Sequence, residues 1–161
     1  MNLKRFLFGL VVAIVVTTNA EAKFNDASID AVKAAAEQGD AEAQAELGLR
    51  YFFGDKGVYL NYETAVSWFR KAAEQGDAEA QIYLGNCYFT GGGVKQDSTQ
   101  AVYWFRKAAE QGFADAQNLL GLCYHTGEGV KQDTTQAAYW WRKAAEQGDQ
   151  KAIHLLQILD L

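Results

Sequence analysis

The string Arg-Lys-Ala-Ala-Glu-Gln-Gly stands at residues 70–76, 106–112 and 142–148, a period of 36 residues. A partial copy, Ala35-Ala36-Glu37-Gln38-Gly39, precedes the first by 37. Gly-Val-Lys-Gln-Asp recurs at 93–97 and 129–133, and Ala-Glu-Ala-Gln at 41–44 and 78–81, with Ala114-Asp115-Ala116-Gln117 as a variant. Self-similarity at this period restricts the chain to an array in which one supersecondary unit stacks on the next. The extra residue of the first unit falls between Gly54 and Gly57, where a loop absorbs it.

Each unit reads as two helices. The first starts after Asp40, Asp77 or Phe113. An Asp there serves as N-cap, because its carboxylate accepts from backbone N–H groups that lack a helical partner. In the second copy Ala80, Leu84, Cys87 and Tyr88 then fall on one face. A glycine loop follows, Gly91-Gly92-Gly93 or Gly127-Glu128-Gly129. The second helix follows Asp97 or Asp133, each with Gln three residues on, and carries Ala101, Trp104, Ala108 and Ala109 inward. It stops at Gly112 or its equivalent. Zero prolines suit such a chain. Gly48, Gly85 and Gly121 sit inside first helices, where glycine costs about 1 kcal/mol against alanine. Their recurrence predicts that a neighbouring helix, with its Trp, packs on the bare backbone.

The ends are half units. Ser28 to Gln38 resembles a lone second helix and Gln150 to Leu159 a lone first helix, with Gln157 where the others have Gly. The expected organisation is an N-terminal cap at 23–39, units at 40–76, 77–112 and 113–148, and a C-terminal cap at 149–161. That makes eight helices in an all-α chain.

Residues 1–22 read as an export signal. Lys4 and Arg5 precede the apolar run Phe6 to Val16, and Ala20-Glu21-Ala22 places small residues at a cleavage site. Eleven apolar residues fall short of the ~20 that span a bilayer. Cleavage at Ala22/Lys23 predicts a periplasmic or secreted protein with no stable membrane insertion. The 161 residues carry 15 Lys+Arg against 20 Asp+Glu, a net charge of -5. That balance excludes a general nucleic-acid binder. Two cysteines exclude a disulfide-rich scaffold and a four-cysteine zinc site.

The ordered residues Ala80, Leu84-Gly85, Tyr88, Gly91, Gly93-Val94, Asp97, Ala101, Trp104, Ala108-Ala109 and Gly112 resemble the Sel-one-like repeat family, relatives of the tetratricopeptide repeats. Unit 3 matches through Gly121, Tyr124, Trp140 and Gly148, and unit 1 with Asn61 in place of the loop Asp. The resemblance spans about residues 29 to 158. It implies a right-handed alpha-alpha superhelix of stacked helix pairs whose concave face is lined by first helices, and it implies protein binding, often as an adaptor in bacterial envelopes. The alternatives it leaves are a weak β-lactam-hydrolysing or penicillin-binding envelope protein and a secreted host-interaction factor. The cysteine-rich branch of the family staples each unit with paired cysteines, and this chain lacks those pairs.

Positions that differ between units on the exposed side of first helices are free for recognition. They form columns: Glu46, Tyr83 and Leu119; Leu49, Asn86 and Leu122; Arg50, Cys87 and Cys123; and Phe53, Thr90 and Thr126. The candidate partner-binding set is Glu46, Leu49, Arg50, Phe53, Tyr83, Asn86, Thr90, Leu119, Leu122 and Thr126, with a protein or peptide as partner. Cys87 and Cys123 lie one unit apart, about 10 Å by helix packing, too far for a disulfide. Arg50 as their counterpart implies a partly exposed column and leaves a reactive thiol open. Trp68, Trp104 and Trp140 repeat on an alanine-rich face and read as core. The Arg-Lys pairs at 70–71, 106–107 and 142–143 read as solvated surface with local ion pairs. Cys123 and His125 point apart on a helix, His154 lies on the cap, and Gly91-Gly92-Gly93 lacks the context of a phosphate loop. No catalytic constellation, metal site or cofactor is expected.

Overall fold

The computed structural model describes Phe24 and residues 27–160; the export signal and its Ala22/Lys23 junction lie outside the described residues. Among the described residues there are eight helices and no strand. They are α1 (Ile29–Glu37), α2 (Ala41–Phe53), α3 (Tyr62–Glu74), α4 (Ala78–Thr90), α5 (Ser98–Glu110), α6 (Ala114–Thr126), α7 (Thr134–Glu146) and α8 (Gln150–Ile158). Each helix packs on its neighbours in the chain, so three helix pairs stack between single helices at the two ends.

The caps are those that the repeat predicts. Ala43 N–H donates to Asp40 Oδ1 at 3.0 Å, Ala80 N–H to Asp77 at 2.7 Å and Gln136 N–H to Asp133 at 3.0 Å. Asn61 does the same work for α3, accepting from Thr64 N–H at 2.8 Å. Phe113 offers no side-chain cap to α6. The intra-unit loop closes identically in all three units. Asn61, Asp97 and Asp133 donate their backbone N–H to the carbonyls of Tyr51, Tyr88 and Tyr124 at 2.8–2.9 Å.

Small residues set the distance between layers. Ala65, Ala72, Ala80, Ala101, Ala108, Ala116, Ala137 and Ala144 are fully buried. The helical glycines receive a ring, but not that of the expected tryptophan. A Cβ on Gly48 would lie 2.5 Å from the Phe69 ring, one on Gly85 2.6 Å from Phe105, and one on Gly121 2.6 Å from Trp141 Nε1. The residue after each repeat Trp is therefore the one that enters the seam. Phe69, Phe105 and Trp141 have no exposed surface, a burial worth roughly 1.5–3 kcal/mol for a phenylalanine. Trp141 adds a hydrogen bond from Nε1 to Asn118 O at 3.2 Å. Trp68, Trp104 and Trp140 pack at the core margin, Trp104 buried and the other two half-buried.

A ladder of glutamine amides joins the units. Gln44, Gln81 and Gln117, on first helices, donate from Nε2 to the carbonyls of Ala36, Ala73 and Ala109 in the preceding helix, at 3.0–3.2 Å. Each then accepts from a glutamine that ends the next second helix. Gln75 donates to Gln44 at 2.8 Å, Gln111 to Gln81 at 2.9 Å and Gln147 to Gln117 at 2.9 Å. Each buried amide of the rung thus has a partner on both its oxygen and its nitrogen, the condition under which buried polar groups hold a structure together.

The Arg-Lys pairs do not rest on local ion pairs. Arg70 and Arg106 donate from Nη2 to the hydroxyls of Tyr88 and Tyr124 in the following first helix, at 2.9 and 2.7 Å. Lys71 lies 3.9 Å from the centre of the Trp68 ring, and Lys107 and Lys143 lie 5.2 Å from those of Tyr103 and Tyr139. These are cation–π distances.

Candidate partner-binding surface

The first helices bring the expected columns together, and packing divides them. Tyr83 is 3% exposed. Its ring stacks on Phe69, centroids 5.2 Å apart and planes 13° apart, and meets Phe52 edge-on. Burial, with Glu79 and Asp115 nearby, pushes its hydroxyl up to about 12. Leu119, the next member of the column, is also buried. The expectation that Tyr83 and Leu119 stand on an exposed side is therefore corrected. A residue on the far side of a first helix from its own partner meets the preceding unit, so it is core.

Glu46 and Arg50 are corrected in the same way. Arg50 is 1% exposed. Its Nη2 donates to the carbonyls of Phe24 and Ala27 at 2.9 Å each, tying the segment before α1 to α2. Lys56 approaches Glu46 at 3.5 Å. The cysteines that replace Arg50 in later units are buried and free. Burial pushes both thiols up to about 12. The column is core rather than partly exposed, and neither sulfur is a reactive thiol at neutral pH.

Five of the remaining six members reach the surface. Phe53 is 58% exposed, Thr90 is exposed, and Leu49, Leu122 and Thr126 are half-buried. Thr90 and Thr126 return their hydroxyls to the carbonyls of Asn86 and Leu122 one turn back, at 2.9 and 3.0 Å. Asn86 is 3% exposed, contrary to the expectation of an exposed position, and its Oδ1 has no hydrogen-bond partner.

Two further features belong to this surface. The second residue of each first helix is acidic, giving the column Glu42, Glu79 and Asp115, with Lys151 at the same position of α8. Lys151 Nζ lies 3.9 Å from Asp115. Burial, and then Asp77 and Glu46, raise the Glu79 carboxyl. The second feature is the loop of unit 1. Units 2 and 3 have Lys-Gln before the loop Asp, and Gln96 and Gln132 donate to the carbonyls of Phe89 and His125 at 2.8 and 2.7 Å. Unit 1 has Tyr59 and Leu60 there, 94% and 54% exposed beside exposed Phe53. Aligning the three loops on their glycines exposes this departure; comparing helix columns alone does not.

Among the described residues no group of three histidine, cysteine or acidic side chains could hold a metal ion. None of the described helices is long and apolar enough to cross a membrane.

Comparison with known proteins matches this architecture to one family. The Sel1 repeat model fits residues 41–77, 78–113 and 114–149. A Sel1 repeat protein from Oxalobacter formigenes is 43% identical over 81% of this chain and 99% of its own, with a TM-score of 0.74. A protective antigen present in uropathogenic Escherichia coli strains, displaying an SLR fold, is 47% identical over 76% of this chain, with a TM-score of 0.73. The match spans 26% of that antigen. The cysteine rich protein B of Helicobacter pylori shares the fold at 23% identity and a TM-score of 0.61, over 82% of this chain and all of its own. No match is found among curated proteins. With three consecutive repeat matches and a 43% identical structure over nearly its whole length, the chain belongs to the Sel1 repeat family.

Proposed function

We propose that this chain is an exported adaptor that holds a protein or peptide partner on its first-helix face. Sel1 repeat proteins are generally protein-interaction modules. The observation that carries the reading is the contrast between constant and variable positions. Gly48, Gly85, Gly121 and the glutamine ladder are the same in every unit and are consumed by packing. Leu49/Asn86/Leu122 and Phe53/Thr90/Thr126 change from unit to unit. Recognition surfaces combine apolar area with a polar rim, and Phe53, Leu49 and Leu122 beside the threonines make that combination.

Export rests on the order of charge, apolar run and small residues in positions 4–22. Cleavage at Ala22/Lys23 places the protein in the periplasm or outside the cell. It leaves 13 basic against 19 acidic residues, a charge that favours no nucleic acid.

The test is photocrosslinking in the native envelope from Thr90, with Lys107 on α5 as control. Tyr83 is unsuitable because its ring is covered. One protein captured from Thr90 and not from Lys107 is the expected result. Equal capture from both positions, or none from Thr90 in folded, exported protein, overturns the reading.

A further inference from the structure

Glu79 opens α4, and Asn86 lies seven residues on, two turns and about 10.5 Å along the same face. Thr90 continues that face by one more turn. The seam with α5 lies on another side of the helix, where Gly85 meets Phe105. In the column of Asn86 the flanking units carry Leu49 and Leu122. The middle unit thus replaces a leucine with an amide whose Oδ1 is buried and unpartnered. A buried acceptor without a donor costs about 1–3 kcal/mol, so the position is unfavourable for packing alone.

The charges around this face are unequal. Glu46 is held by Arg50 and Lys56, and Asp115 by Lys151. Glu79 has Asp77 and Glu46 as charged neighbours, and Asp77 in turn has Glu42; all of these repel. The carboxylates come one per unit, and no three of them converge on a metal. A point cation cannot serve them together. A chain in the polyproline II conformation can: equivalent residues of stacked helix pairs lie about 10 Å apart, and three residues of that conformation span about 9 Å and return the side chain to the same face.

We propose that the first-helix face takes a basic peptide in the polyproline II conformation whose Lys or Arg side chains, spaced every third residue, meet Glu42, Glu79 and Asp115, while Asn86 Oδ1 accepts a peptide N–H. The χ2 torsion of asparagine is broad, so rotation of the amide brings its oxygen to the incoming donor. This rests on the first-helix face being the docking surface and adds the chemistry of the occupant.

The test is fluorescence anisotropy on the protein, purified as the cell processes it, with a labelled nonapeptide of three Lys-Ala-Ala triplets and a Glu-Ala-Ala control. The lysine peptide should bind at low salt and the glutamate peptide should not. Glu79→Gln should weaken binding about tenfold, and Asn86→Leu about fivefold. Asn86→Leu installs the residue of the flanking units, so thermal unfolding should show it folded. Glu110→Gln, on an exposed stretch of α5, should leave binding unchanged. No binding of the lysine peptide, or equal losses from Glu79→Gln and Glu110→Gln, overturns the proposal. A protein crosslinked from Thr90 through a segment without basic residues overturns it too, while leaving the adaptor reading intact.

Discussion

Arg50 Nε donates to Glu46 Oε1 at 2.7 Å, one turn back on α2, with the two side chains 2% and 11% exposed. The Nη2 of the guanidinium donates to the Phe24 and Ala27 carbonyls. Later units put cysteine at this position and have a complete helix pair before them. Among the described residues unit 1 is preceded by α1, Phe24 and residues 27–28, and a planar, five-donor side chain ties Phe24 and Ala27 to α2.

Arg50→Met should therefore cost about 3 kcal/mol, the lower part of the range for breaking a buried pair, because Lys56 remains near Glu46. The double variant Glu46→Met, Arg50→Met should recover part of the loss. Urea unfolding measures both. A loss below about 1 kcal/mol for Arg50→Met would show that the clamp is not holding the end of the array.

Gly85→Ala sets two effects against each other. Alanine favours the helix by about 1 kcal/mol. Its Cβ would stand 2.6 Å from the fully buried Phe105 ring and 3.3 Å from Ala101 O, and overpacking of that kind costs about 1–3 kcal/mol. The variant should be destabilised, and Phe105→Leu in the same molecule should restore part of the loss. A Gly85→Ala protein as stable as the parent in calorimetry contradicts the close seam.

Cys87 and Cys123 should resist a thiol reagent at pH 8 in the folded protein and react fully in denaturant. Burial favours the protonated thiol, with Glu128 adding to the effect at Cys123. A thiol raised on folding stabilises the fold below its unfolded value, near 8.5. That contribution is lost as the pH climbs from there through about 12. Rapid labelling of either cysteine in native protein would place the column at the surface.

Glu79, Asp77 and Asp115 are raised by burial, so the folded state binds their protons more tightly than the unfolded chain does. Their ionisation works against folding at neutral pH, and this penalty disappears as the pH falls through the folded values toward the unfolded ones near 4. Glu79→Gln should raise Tm by about 1–3 °C at pH 7 and by nothing near pH 4. A variant that is less stable at pH 7 would assign Glu79 a structural role.

Most of the architecture was legible because the repeat supplies its own alignment. Asp77, Asp97 and Asp133 cap where the sequence places them, and eight helices follow the 36-residue period. The surface was less legible. Helical spacing separates the face toward the partner helix from the rest, but it does not separate solvent from the preceding unit. Tyr83 and Leu119 vary between units and are nonetheless buried, Tyr83 against Phe52 and Phe69 of the unit before it. The same ambiguity put Trp68, Trp104 and Trp140 in the seam, one residue short of Phe69, Phe105 and Trp141. The Arg50 clamp depends on Phe24 and Ala27, more than twenty residues away, which no local pattern reveals.

The glutamine ladder gives the array a standard coupling. Gln81 reaches back to Ala73 and is reached by Gln111, and Gln117 does the same with Ala109 and Gln147. Because the outgoing end of each unit matches the incoming end of any other, duplication of a 36-residue segment in the gene yields a longer array without inventing an interface. Growth or shortening by whole units then changes the number of recognition positions while leaving every existing junction as it was.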